Sequence, residues 1–120
     1  MFWGASRDSW SDKLVIFHIC PKKDWEAAQE AGVYTADSLE SEGFIHCSEK
    51  GQVARVANSF YKDIEGLVLL HISIENIEAK IRWEEVEGEA FPHIYGPINL
   101  DAVVEVKAFA AGEDGVFVYP

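Results

Sequence analysis

Apolar positions along this chain fall into two kinds of pattern. Residues 14–20, "LVIFHIC", and 66–74, "GLVLLHISI", are apolar almost without interruption. Both predict strands, the first covered on both faces and the second the strongest strand signal in the chain. "KIRWEEV" (80–86) and "AVVEVKAF" (102–109) alternate, which predicts half-buried strands. "VFVYP" reads as a last short strand, and Asn76 falls in a turn. Val53, Val56, Ala57 and Phe60 recur at helical spacing, so a helix is expected from about 49 to 61 with Ser48 as its N-cap. "KKDWEAAQEAG" predicts an earlier helix, opened by Pro21 and closed by Gly32. Asp37 and Ser38 cap a single helical turn around Leu39, and "FIHC" after Gly43 reads as a short strand. "EGEAFPHIYGP", with two Gly and two Pro, reads as a loop too apolar to be merely solvated.

Two main helices in the N-terminal half and five to seven strands, mostly in the second half, predict one α+β domain. Residues 1–12 read as a loosely ordered leader with Trp3 or Trp10 packed down, and 13–120 as the domain. Its length of 120 residues and 48% hydrophobic content suffice for one packed core. Charge changes the picture more than size does. Twenty-one Asp and Glu against ten Lys and Arg, net −11, exclude nonspecific nucleic-acid binding and an anionic membrane surface as partners. A small-molecule ligand remains the expected partner. The two cysteines, Cys20 and Cys47, match neither a disulfide framework nor a zinc spacing. No signal peptide or membrane span is legible, so a cytoplasmic location is expected.

Candidate chemistry lies in the four histidines, His18, His46, His71 and His93, each beside apolar residues. His71, inside the strongest strand, reads as a core residue. His18 lies near a strand end, where sites are built, and reads equally as structural or functional. In "FIHCS", strand alternation sends Ile45 and Cys47 to the core and leaves Phe44 and His46 facing a cleft or another layer. His93 and Tyr95 either fold over the core or form a rigid rim. Three histidines, with Glu84 or Cys47, could hold zinc, although no HxH or HExxH spacing occurs. Glu84, Glu85 and Glu87 read as a solvated face beside Trp83, with a glutamate acting on a sugar hydroxyl as the sharper alternative. No GxGxxG, P-loop, GxSxG or CxxC motif is present.

"IFHI", "GVYTADSLESEGFIHCSEKGQV", "LVLLHISI", "IRWEE" and "FPHIYGPINLDAVVEV", in that order over 14–109, resemble the bacterial family catalogued as domain of unknown function 952. That family is similar, more distantly, to the ADP-ribosyltransferase fold. The resemblance implies a split, twisted sheet with a cleft that binds NAD or an ADP-ribose-like ligand. It places His18 at the ribose-contacting first position and His46 on the strand lining the nicotinamide pocket. Tyr34 and Tyr95 become walls, and His93 takes the third position. Catalysis would then fall to His46 and His93, and cofactor binding to His18, Tyr34 and Tyr95. A non-catalytic interaction module with structural histidines and a metal-dependent hydrolase are the alternative readings.

Overall fold

The two continuous apolar runs become β1 (Val15–Pro21) and β4 (Leu67–Ser73), paired antiparallel in one sheet. The computed structural model describes residues 14–120, so the expected leader and its two Trp lie outside the described residues. Between these strands run α1 (Lys22–Ala31), β2 (Val33–Tyr34), α2 (Asp37–Glu42), β3 (Ile45–His46) and α3 (Val53–Phe60). After them come β5 (Lys80–Val86), β6 (Glu89–Tyr95), β7 (Ile98–Asn99) and β8 (Val103–Phe109). Among the described residues these form three antiparallel sheets, ordered β1-β4-β8, β2-β7 and β3-β6-β5. The α+β class is as expected.

The β1-β4-β8 sheet explains why its strands are apolar throughout. Ile16, Cys20, Val68, Leu70 and Ile72 pack on one face against Ile45, Ile94, Ile98 and Tyr34. Phe17, Ile19, Leu67 and Leu69 pack on the other against Val53, Ala57, Phe109 and Phe117. Two cores back to back leave β1 and β4 no solvent face, and each buried Ile, Leu or Phe contributes about 1.5–3 kcal/mol. His71 sits in the second core edge-on to Phe17, with ring centroids 4.9 Å apart. Burial lowers its pKa.

Several expectations are corrected. "EAFPHIY" is not a loop but β6, the central strand of its sheet. Pro92 is tolerated there because of where its missing donor would point. Its carbonyl accepts from Cys47 N–H at 3.1 Å, so its polar groups face the β3 side. Pairing with β3 ends at His46↔His93, so the absent N–H falls beyond the ladder. Ser48 does not cap a helix. It exchanges both backbone hydrogen bonds with Phe17, each 2.8 Å, and is therefore extended. The cap is Glu49, whose N–H donates to Gln52 Oε1 at 2.8 Å in a reciprocal capping box. A 3-10 turn, Lys50–Gln52, precedes α3, which therefore starts four residues later than expected. The single turn expected around Leu39 extends to six residues, so three α-helices stand among the described residues. Phe60 leaves the apolar face and is 75% exposed.

The chain's last residues do not form a strand. Asn58 replaces a partner strand: its Nδ2 donates to the Phe117 carbonyl at 3.0 Å, and the Phe117 N–H donates to its Oδ1 at 2.8 Å. Replacing Asn58 by Ala leaves both Phe117 backbone groups unpaired beside a buried ring. The expected loss is about 1–3 kcal/mol of stability, measured by urea unfolding; a change near zero would show that Phe117 is held by packing alone.

Candidate functional site

The cleft of the molecule follows from one backbone event. Phe17 spends both polar groups on Ser48, so they point away from β4. Two residues on, Ile19 directs its N–H and C=O to the same side. By then the two segments have parted, and no backbone group among the described residues meets Ile19 there. The parted segments enclose a cleft of about 500 Å³. Its floor is Ile19, Cys47 and Ser48, one wall is Tyr34 with 36–38, and the other is Val56, Phe60 and Tyr61. His18, His46 and His93 all line it.

His18 is buried and spends both ring nitrogens. Nδ1 lies 2.6 Å from the His46 carbonyl, and Nε2 lies 2.8 Å from the Tyr34 hydroxyl. A carbonyl only accepts, so Nδ1 carries the proton. Burial lowers the His18 pKa to about 4, so the ring is neutral and Nε2 accepts from Tyr34 O–H. The structure brings these two residues together: His18 fixes the direction of the Tyr34 hydroxyl, which also meets the Cys20 thiol. Burial also raises the Tyr34 hydroxyl pKa and the thiol of Cys47, and pushes the Cys20 thiol up to about 11. Neither cysteine is poised as a thiolate nucleophile.

His46 and His93 face each other across the β3–β6 pair, with ring centroids 5.4 Å apart. Phe44 stacks on His93 at 4.2 Å and packs edge-on to His46 at 4.8 Å. The alternation expected for "FIHC" holds: Ile45 and Cys47 are buried, whereas His46 is exposed. Its Nε2 lies 3.2 Å from Glu42. His93 is only 5% exposed. Its Nδ1 lies 2.8 Å from Glu84 Oε1, and Tyr95 O–H donates to the same oxygen at 2.6 Å. These bonds, Tyr95 first and His93 second, lower the Glu84 pKa. The carboxylate accepts, so Nδ1 carries a proton, and in the neutral form of the ring the lone pair falls to Nε2. Among the described residues Nε2 has no hydrogen-bond partner. Tyr95 itself stands outside the cleft lining and acts on the site through Glu84.

Sequence reasoning offered Glu84 as a metal ligand or a sugar-binding glutamate and missed its contact with His93 and Tyr95. The signal was the hairpin. Glu87 and Gly88, at φ 52 and 85, form a two-residue turn that locks Glu84 opposite Phe91. Residues 84 and 93 then sit diagonally on one sheet face, within side-chain reach. Zinc finds no comparable set: among the described residues no three or more His, Cys, Asp or Glu gather to hold a metal. No helix among them is long and apolar enough to cross a membrane.

A small single-domain α+β protein with several antiparallel sheets and few helices is the class these features define. Residues 19–106 match the family model "Protein of unknown function (DUF952)", and the chain belongs to that family. It is similar to the protein CC0527 of Caulobacter crescentus. The X-ray structure of that protein superposes with a TM-score of 0.79 at 28% identity, covering 87% of this chain and 93% of that one. Its solution NMR structure gives 0.74 at 30% identity, over 85% and 90%. No curated protein matches the chain.

His18 makes stability depend on pH. Above the unfolded value of 6.5 both states are neutral; as pH falls toward the folded value of about 4, only the unfolded chain gains the proton. His18 therefore removes stability progressively over that window, by about 3 kcal/mol in all. Urea unfolding between pH 7.5 and 4, compared with His18→Asn, measures its share; equal slopes in both proteins would refute a buried neutral ring.

Proposed function

We propose that the chain is an enzyme of the ADP-ribosyltransferase kind that cleaves the N-glycosidic bond of an NAD-type nicotinamide nucleoside bound in this cleft. The observation that carries the reading is His93: buried, held at Nδ1 by Glu84, and left with an unpartnered Nε2 in the cleft wall. That is the arrangement of an oriented general base. Ile19 supports it, because one free N–H and one free C=O side by side match the acceptor and donor of a primary carboxamide. The ribose then meets the Tyr34 hydroxyl, whose direction His18 sets, and the exposed His46 ring lies near the sugar or its phosphate.

In the reaction, the C1′–N bond breaks and its electron pair stays on the ring nitrogen, turning a pyridinium into neutral nicotinamide. The oxygen of water, or of an acceptor hydroxyl, bonds to C1′, and its proton passes to His93 Nε2. Glu84 stabilises the imidazolium that forms. The surrounding carboxylates favour the cationic sugar that develops as the bond breaks.

Nicotinamide release, followed by chromatography after incubation with NAD and with nicotinamide nucleosides, tests this. His93→Ala is expected to abolish release, and Glu84→Gln to slow it about 10–100-fold, as loss of a ring-orienting carboxylate does. Nitrogen NMR of His93 should show the Nδ1–H tautomer in the parent chain and a mixture in Glu84→Gln. No release from any nicotinamide-bearing compound, with His93 tautomers unaffected by Glu84→Gln, would sink the proposal.

A further inference from the structure

The charge of the cleft narrows its ligand. No Lys or Arg is among the described residues that line it, whereas Asp24 and Asp37 both are. Asp24 lies in the first turn of α1, so the positive end of that helix is already answered by a carboxylate. The Asp24 charge also reaches inward: it adds to the upward shift of the Cys20 and Tyr34 pKa values. The walls are aromatic, with Phe17, Tyr34, Phe60, Tyr61 and Phe91. Phe60 stands 75% exposed at this cleft, an apolar ring facing open solvent. Arg82, on the sheet face that carries His93, is laid over the Tyr95 ring at 5.6 Å and is outside the lining. The His93 ring, 5% exposed, adds to this wall an Nε2 that meets no hydrogen-bond partner among the described residues.

Aromatic faces with carboxylates beside them attract a flat cation. A diphosphate would bring two negative charges against Asp24 and Asp37, with no cation of the lining to meet them. We propose that the cleft takes an aromatic cation carrying no phosphate: in terms of the reaction above, a pyridinium N-riboside in preference to a dinucleotide. This rests on the N-glycoside reading and names the substrate class within it.

The experiment titrates the full chain by calorimetry and thermal shift with four probes: nicotinamide riboside, 1-methylnicotinamide, NAD and ADP-ribose. The riboside is expected to bind at least about tenfold tighter than NAD, a difference that ionic contacts of this kind readily supply. Both cations should weaken as salt rises. Asp24→Asn and Asp37→Asn, at exposed positions that tolerate the change, should each weaken the cations several-fold while leaving neutral nicotinamide, run as a control beside the four probes, unaffected. NAD or ADP-ribose binding as tightly as the riboside would overturn this inference and leave the N-glycoside reading standing. Cations that bind equally well to the Asn variants would overturn it too. No shift with any of the four probes would remove both.

Discussion

Two hydrogen bonds hold this architecture open. The Phe17–Ser48 exchange joins the β1-β4-β8 sheet to the segment that leaves β3, and it is a single rung. With more rungs, β1 and β3 would merge into one continuous sheet and the cleft would close. With none, the two sheets would be joined only by packing and by the His18 side chain. One rung fixes the angle at which the strands part, and the parting exposes the Ile19 backbone. Each wall of the site is then anchored on a different side of that rung. His18 reaches across it to the His46 carbonyl, so the imidazole in the middle of β1 is also a brace between sheets.

The site divides into a rigid half and an adjustable half. His18, Tyr34, Cys20 and Cys47 are buried and held neutral by low polarity around them. They shape the cleft without changing charge near neutrality. The β3–β6 rim is different. His46 pairs with Glu42 in solvent, and Glu84 gathers His93 and Tyr95 onto one oxygen. A carboxylate bonded to two donors is the natural place for a proton-handling imidazole to be oriented, because reorientation would cost both bonds.

Much of this fold was legible in the residues, and the places where reading failed share a cause. Alternation in "FIHC" correctly sent Ile45 and Cys47 inward because one face of β3 is core. The helix at 22–31 and its closing Gly32 were legible because propensity, cap and period agreed, and Gly32 does take φ 87. "FPHIY" misled because Pro reads as a breaker, yet a strand tolerates it where the neighbouring ladder has already ended. Ser48 misled because a polar residue before an apolar helix reads as a cap. Its own backbone was already committed to Phe17, a partner thirty-one positions away in the sequence.

The sequence by itself determined the class of fold, the continuous burial of β1 and β4, the lopsided charge and the three histidines worth attention. Those follow from periodicity, composition and residue chemistry, which act locally. Only the tertiary structure decided what the histidines are. It spent both nitrogens of His18 on a carbonyl and a hydroxyl, and left His46 in solvent. It gave His93 a carboxylate on one nitrogen and, among the described residues, no partner on the other. Each of those outcomes depends on strand register and on which backbone groups are already paired. Register is fixed by a hairpin turn and by rungs between distant segments, and no local pattern of residues contains it.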